Sequence, residues 1–271
     1  MTKKCLITGV SGFVGQHLTS ILLEKGHTVY GFDRSSKDIP EVNQKKIDIL
    51  DQKAVEELIL EIKPDYIFHL AAQSSVKSSW DNPEQTKAVN VQGTKNIFDA
   101  ILTANISDSC KILVVSSAEI YGVPKEDLIK ETDQLNPVNP YGESRLEQEQ
   151  LIEEYLKKGL NIVITRSFPH TGPLQLPIFV CSSFAQQVAL IESGKQEPIL
   201  DVGNLSAVRD FSDVRDVVKA YCTLLFEDKK GVFNVCSGKG VSIEDILKML
   251  VEMSGTEIKV QVNPDKFRPN D

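Results

Sequence analysis

The stretch Cys5-Leu6-Ile7-Thr8-Gly9-Val10-Ser11-Gly12-Phe13-Val14-Gly15 decides the fold. Cys5 to Thr8 is a short apolar run of strand character, and Gly12 to Lys25 carries helical periodicity directly after it. Glycines at 9, 12 and 15 stand at the junction, and each missing side chain has a use. One permits a tight turn, one lets backbone approach a phosphate, and one packs helix close on strand. The helix amino end then offers free N–H groups and a partial positive charge to a pyrophosphate. Gly9, Gly12, Phe13, Val14 and Gly15 are therefore expected to hold a dinucleotide cofactor.

Working outward, the strand Thr28 to Phe32 leads to Asp33, 24 positions after Gly9. A carboxylate there accepts both hydroxyls of an adenosine ribose and repels a 2′-phosphate. Arg34 follows and offsets that repulsion, so NAD is preferred and NADP is admitted. Asp48, with Ile49 beside it, closes a third strand, Lys45 to Asp48, from which its carboxylate would reach the adenine amino group. Asp51 serves equally well as a helix N-cap. The strand Tyr66 to Leu70 ends in His69-Leu70-Ala71-Ala72, where the small residues Ala71 and Ala72, with Leu70, let a cofactor pass over the sheet edge. His69 itself reads as a packed histidine.

Strands over Lys111 to Ser116 and Asn161 to Arg166 alternate with helices over Gln52 to Ile62, Pro83 to Ala104 and Pro140 to Lys157. That alternation predicts an α/β fold: a doubly wound parallel sheet of Rossmann type spanning residues 1–166. Beyond it, Pro169, Gly172, Pro173 and Pro177 punctuate the chain. The helical Ser182 to Ser193, the turn-rich Asp201 to Phe211 and the helical Ser242 to Ser254 predict a smaller substrate-binding lobe over 167–271. Residues 213–236, with a helix over Asp213 to Phe226, are expected to return to the first domain.

Composition narrows the function. A chain of 271 residues with 41% hydrophobic and 25% charged residues belongs to the globular class. A net charge of -8 without any basic block argues against a nucleic-acid partner. No apolar run reaches the ~18 residues of a membrane span. Met1-Thr2-Lys3-Lys4 leads straight into the first strand without a signal region, so the expected location is the cytoplasm. Cys5, Cys110, Cys181, Cys222 and Cys236 are scattered, never closer than 14 positions, which predicts reduced core thiols and no metal site.

Tyr141-Gly142-Glu143-Ser144-Arg145 sets a tyrosine and an arginine four apart, on one face of a helix. A phenol titrates near ~10 in water and is made useful near neutrality by a neighbouring cation. Ser117, after the strand Lys111 to Ser116, completes a hydroxyl pair suited to a reacting sugar oxygen.

Together with the glycine loop, Asp33 and His69 to Ala72, the segments Asn90-Val91-Gln92-Gly93-Thr94, Ser116-Ser117-Ala118-Glu119-Ile120-Tyr121-Gly122 and Pro140-Tyr141-Gly142 carry a resemblance over the whole chain. The sequence resembles the extended short-chain dehydrogenase/reductase family of nucleotide-sugar enzymes. The resemblance implies hydride exchange with NAD or NADP, proton exchange at Tyr141, and a contact from position 145 to the nicotinamide ribose. The family carries lysine at that position and this chain has Arg145, which keeps the charge and changes the geometry. Glu119 lies where related 4,6-dehydratases carry a base, but its neighbour is Ala118 where they place an acid.

Three further stretches, Gln73-Ser74-Ser75-Val76-Lys77-Ser78-Ser79-Trp80, Glu197 to Leu205 and Val208 to Asp216, look most like GDP-4-keto-6-deoxy-D-mannose reductases. That similarity implies reduction of a C4 ketone on a nucleotide-linked sugar, with substrate contacts at Ser74, Ser75, Val76, Pro169, His170 and Arg268. Arg209 is the expected diphosphate clamp, because guanidinium pairs with phosphate bidentately, or else it pairs with Asp210 or Asp213. Pro169 replaces the asparagine usual in relatives and so removes donors. A 4-epimerase or 4,6-dehydratase with tightly bound NAD, and a non-catalytic sugar-nucleotide binder, are the alternatives. By analogy with the family, the chain is expected to form a homodimer through the helices Pro83 to Ala104 and Pro140 to Lys157.

Overall fold

A computed structural model describes residues 2–34, 38–124, 126 and 128–264. The chain opens with β1 (Lys4–Thr8), α1 (Phe13–Glu24), β2 (Thr28–Asp33), β3 (Asn43–Lys46), α2 (Gln52–Ile62) and β4 (Tyr66–His69). There follow α3 (Val76–Asp81), α4 (Pro83–Lys87), a π-helical turn (Ala88–Gln92), α5 (Gly93–Thr103), β5 (Lys111–Ser117), a 3₁₀ turn (Ala118–Tyr121), α6 (Pro140–Lys157) and β6 (Asn161–Ser167). The remainder is β7 (His170–Thr171), α7 (Val180–Glu192), β8 (Ile199–Val202), β9 (Val208–Asp210), β10 (Ser212–Asp213), α8 (Val214–Phe226), β11 (Gly231–Val235), β12 (Gly240–Ser242), α9 (Ile243–Ser254) and β13 (Lys259–Val262).

Two compact units form. One comprises Met1–Phe168 and Arg215–Val235, the other Pro169–Val214 and Cys236–Asp271. The first unit is built on a seven-stranded sheet in the order β11-β6-β5-β4-β1-β2-β3, with every neighbouring pair parallel. Chain order runs one way from β1 through β2 to β3 and the other way from β4 through β5 to β6. The switch point between β1 and β4 is where open α/β sheets bind ligands, beyond the strands' carboxyl ends.

Alternating side chains explain why both faces are covered. In β4, Ile67 joins a core with Val55, Leu58, Ile59 and Ile62 of α2, Ile97 and Ile101 of α5, and Ile152 and Tyr155 of α6. Tyr66 and Phe68 point the other way, and both rings meet Phe226 at the end of α8, with centroids 4.9 and 6.1 Å away. Helix starts are locally encoded. The Ala54 N–H donates to Asp51 Oδ1 (3.1 Å) ahead of α2, and the Gly142 N–H to Asn139 Oδ1 (2.8 Å) ahead of α6, where Pro140 takes the first turn.

Some boundaries depart from expectation. The helix expected over Pro83 to Ala104 is α4, a π-helical turn and α5, with the Thr94 hydroxyl donating to the Asn90 carbonyl (2.6 Å) where the turn widens. The third strand is Asn43–Lys46 rather than Lys45 to Asp48, because Asp48 Oδ1 accepts the Leu50 N–H (3.0 Å) and closes a turn instead. β4 stops at His69, whereas β5 and β6 each continue one residue further than expected, to Ser117 and Ser167. Val76 opens a short helix, α3, that the sequence pattern does not announce.

The second unit has its own core, in which Phe184 and Val188 of α7, Leu200 and Val202 of β8, and Ile243 and Leu247 of α9 pack together. Its strands pair two by two: β7 with β10, β8 with β13, both parallel, and β9 with β12 antiparallel. The region expected to be merely turn-rich thus contains β9. Cys5, Cys110, Cys181 and Cys222 are buried, Cys236 is exposed, and all five are free thiols. Among the described residues no helix is long and apolar enough to cross a membrane, and no group of three or more His, Cys, Asp or Glu is placed to hold a metal ion.

Candidate active site

The glycine turn closes the end of β1 tightly. Gly9 adopts a positive φ of 73°, its N–H donates to Phe32 O (2.8 Å), and the Gly12 N–H donates to Gly9 O (3.0 Å). A Cβ on Gly15 would lie 2.4 Å from Gly9 O and 2.6 Å from Val10 O, so α1 begins in direct backbone contact with the turn. Gly12, the N-cap of α1, contributes no side-chain cap, and the first turn carries no acidic residue. First-turn N–H groups have no partner four residues earlier within their own helix, which suits this glycine-rich turn to a cofactor pyrophosphate. Phe13 and Val14 open the helix, with the Phe13 ring edge-on to His17.

Asp33 does more than the sequence suggests. Its Oδ2 accepts the Ser11 N–H (2.7 Å), which fastens the crest of the glycine turn to the end of β2. Arg34 beside it is exposed. Leu70 and Ala71 donate their N–H groups to Thr8 Oγ1 (3.1 and 2.9 Å), and a Cβ on Gly9 would come within 3.2 Å of Ala71 Cα. Gly9, Leu70 and Ala71 are therefore brought together at the switch point, with Ala72 next in the chain. Asp48 lies in its own turn, while Ile49 is buried against Gly93.

Ser117 ends β5, buried, and its Oγ accepts the Glu119 N–H (3.2 Å). Below it a buried ion pair braces the strands: Arg166 Nη2 donates to Glu149 Oε2 (2.8 Å), Nη1 to the Tyr121 hydroxyl (2.9 Å), and Ser116 Oγ to Glu149 Oε1 (2.6 Å). The first turn of α6 sits on the 3₁₀ turn, since a Cβ on Gly142 would lie 2.7 Å from Glu119 O. Asn139 has two roles there. Besides capping α6, its Nδ2 donates to Glu119 Oε2 (2.7 Å), so the Glu119 carboxylate is engaged in holding the helix start.

Tyr141 and Arg145 meet as their spacing requires. Arg145 is only 3% exposed; its Nε donates to the Tyr141 hydroxyl oxygen (3.3 Å) and its Nη1 to Val115 O (3.0 Å) and Gln148 Oε1 (2.9 Å). Guanidinium has donors and no acceptor, so the Tyr141 oxygen accepts and its own hydrogen is left for another partner. Among the described residues nothing accepts from Arg145 Nη2. The sequence reading does not single out Asn139 or Gln148, although a glutamine three positions after Arg145 on the same helix is a readable signal.

The expected substrate contacts divide. Ser75 Oγ accepts the Ser78 N–H (3.2 Å) as the N-cap of α3, so this oxygen already serves the helix; Ser74 precedes it and Val76 follows as the first helical residue. Pro169, His170 and Arg209 belong to the second unit. There Pro169 O accepts the Ser212 N–H (3.0 Å), His170 starts β7, and exposed Arg209 donates Nη1 to Val208 O (2.8 Å). Asp210 accepts from Ser237 and Gly238 instead of pairing with Arg209. Arg268 lies outside the described residues. A cavity of about 670 Å³ lined by Leu146, Glu153, Ile162, Ile164 and Val232 contains none of Ser117, Tyr141 or Arg145.

Comparison with known proteins identifies the family and the fold. The family model for GDP-mannose 4,6 dehydratase matches residues 6–270. A GDP-6-deoxy-D-mannose reductase of Pseudomonas aeruginosa is 33% identical over 272 residues, covering 99% of this chain and 86% of that protein. RMD from Pseudomonas aeruginosa, solved in complex with NADPH, superposes with a TM-score of 0.85 at 31% identity, covering 99% of this chain and 88% of that one. A Thermus thermophilus UDP-glucose 4-epimerase in complex with NAD gives 0.88 at 29% identity, covering 99% and 88%.

Proposed function

The chain belongs to the GDP-mannose 4,6-dehydratase family of nicotinamide-dependent nucleotide-sugar enzymes, and from that membership we propose that it is a reductase. Its proposed substrate is a nucleotide-linked 4-keto-6-deoxy sugar, most simply GDP-linked, reduced to the alcohol at C4.

The observation that carries this reading is the direction of the Tyr141–Arg145 hydrogen bond. Because Arg145 donates to the phenol oxygen, the phenol hydrogen is available to a ketone oxygen. Ser117 donates a second hydrogen bond to that oxygen, because accepting the Glu119 N–H leaves its hydroxyl hydrogen to give. Bound nicotinamide supplies the hydride. Tyr141 gives the proton, the ketone becomes an alcohol, and the phenolate left behind sits beside the buried guanidinium, which offsets its charge. Arg145 Nη2 is the donor that remains for a cofactor ribose hydroxyl. Engagement of Glu119 by Asn139, and Ala118 beside it, support reduction over a dehydration that needs a free base.

Asp33 favours NADH, and Arg34 admits NADPH. Arg209, of the second unit, is the proposed partner of the substrate diphosphate, and Ser74, Ser75 and Val76 of the first unit and His170 of the second are further proposed sugar-nucleotide contacts. We place the enzyme in the cytoplasm as a homodimer. Purified protein incubated with GDP-4-keto-6-deoxymannose and NADPH or NADH is expected to consume the reduced cofactor and to yield a product two hydrogens heavier by mass spectrometry. Conversion of a nucleotide sugar without added reductant would instead show an epimerase or dehydratase.

A further inference from the structure

A continuous hydrogen-bonded chain runs inside the first unit from the cofactor turn to Tyr141, and its direction is fixed by counting donors. Thr8 Oγ1 already receives the N–H groups of Leu70 and Ala71, so its one hydrogen goes to His69 Nδ1 (2.8 Å). His69, pushed down to about 3 by burial and by the Arg145 charge, is neutral and carries its proton on Nε2, which donates to Thr94 Oγ1 (2.9 Å). Thr94 donates its hydrogen to Asn90 O (2.6 Å) and accepts a second time, from Gln148 Nε2 (2.7 Å). That orients the Gln148 amide, leaving Oε1 to accept from Arg145 Nη1 (2.9 Å). All these side chains are buried: Thr8, Thr94 and Gln148 are 0% exposed, His69 1% and Arg145 3%.

We propose that Gln148 is a positioning residue: it locks the Arg145 guanidinium against Tyr141 while leaving the guanidinium charge uncompensated. Its catalytic consequence rests on the reading of Tyr141 as proton donor. Two acceptors, the Val115 carbonyl and the Gln148 amide oxygen, hold Nη1, and both are neutral. Among the described residues no carboxylate pairs with Arg145. A glutamate at 148 would hold the guanidinium as well and cancel the charge that a phenolate needs; an apolar residue would leave the charge and remove one of the two acceptors that hold Nη1. Glutamine meets both requirements, and Thr94 decides which end of the amide faces the arginine. A long arginine side chain has many rotamers, and the Gln148 tether adds to the Val115 carbonyl in keeping Nε directed at the phenol oxygen.

The test separates the tether from the chemistry. In nitrogen-labelled protein the two Nη groups of a locked guanidinium give separate NMR signals, assigned by their loss in Arg145→Lys. Gln148→Met is expected to merge them through rotation about the Nε–Cζ bond in a protein that still melts cooperatively. Thr94→Val, which removes the anchor of Gln148, provides the same readout if Gln148→Met does not fold. Gln148→Glu is expected to keep the signals separate. Signals that stay separate in both Gln148→Met and Thr94→Val overturn the tether.

In turnover of the 4-keto sugar, Gln148→Met is expected to lower kcat about tenfold to a hundredfold with KM unchanged, the cost of a misplaced catalytic group. In an Arg145→Lys background the same substitution should change kcat by less than about twofold, the coupling expected when one residue acts through another. An equal loss in both backgrounds overturns the positioning role. Merged signals in a protein whose wild type reduces no 4-keto sugar would retain the tether and refute the proposed function.

Discussion

Gly15→Ala tests the cofactor cradle with a magnitude that geometry supplies. The added methyl would sit 2.4 Å from Gly9 O and 2.6 Å from Val10 O, about 1 Å short of ordinary van der Waals contact. Both obstacles are backbone carbonyls at the end of β1, so neither swings aside as a side chain would. The start of α1 must retreat by roughly that 1 Å, an overpacking that costs about 1–3 kcal/mol of stability. Retreat also carries the helix N–H donors out of hydrogen-bond range of a phosphate. Each bond to a charged group is worth about 1.5–3 kcal/mol, so loss of one weakens the nicotinamide cofactor about tenfold to a hundredfold. Gly12→Ala is the graded comparison, because its Cβ would meet a single carbonyl, Gly9 O, at 3.0 Å. Isothermal titration with NADPH and NADH at a temperature where each variant is folded gives the Kd values. Gly15→Ala binding within about twofold of wild type, or more tightly than Gly12→Ala, would refute the cradle as the determinant of affinity.

Three other outcomes follow from the site. Tyr141→Phe should lower kcat by about 10²–10⁴-fold, the contribution of a positioned general acid, with cofactor Kd from the same titration unchanged. Glu119→Gln should leave reduction nearly intact in a product assay by mass spectrometry; a loss of about a hundredfold or more, the size of a missing base, would move the assignment to dehydration. His69 is depressed to about 3 in the folded chain, first by burial and then by Arg145. Its unfolded value is near ~6.5, so between those limits the unfolded state binds the extra proton and stability falls as pH falls. From pH 7 to pH 5 the loss is about 2 kcal/mol, measurable by urea unfolding of wild type against His69→Asn, in which that component should vanish.

Periodicity made most of the first unit legible. Short apolar runs of four to six residues between amphipathic helices give the inner strands almost directly, because β1, β4, β5 and β6 are largely buried and have no polar alternation to blur them, whereas β3 is polar and mostly exposed and its bounds shifted. Boundaries slipped where a polar side chain competed for backbone. Asp48 closes a turn two residues after β3, and a π-helical turn over Ala88–Gln92 interrupts the helix where Thr94 bonds the Asn90 carbonyl; neither is visible in a hydrophobic pattern. The glycine loop and the Tyr141/Arg145 pair were readable because their function depends on local spacing. Asn139 and Gln148 were not. Their partners lie 20 positions away at Glu119 and 54 away at Thr94, and only the packing of α6 against the 3₁₀ turn and α5 brings them into reach.

Those long-range partners also explain how an arginine is accommodated next to the tyrosine. A buried cation without a carboxylate is costly unless its donors are met. Here Nε meets the phenol oxygen and Nη1 meets two neutral oxygens, so most of the desolvation is offset without cancelling the charge. The same accounting requires a neutral His69. A proton on Nδ1 would face the Thr8 hydroxyl, whose oxygen already accepts two N–H groups and whose hydrogen would have to turn away. Thr8 also holds the backbone of Leu70 and Ala71 beside Gly9. Arginine at position 145 is thus joined to the cofactor turn by hydrogen bonds that converge on Thr94: Thr8 donates to His69 and His69 to Thr94 from one side, while Arg145 donates to Gln148 and Gln148 to Thr94 from the other, leaving the arginine Nε for Tyr141.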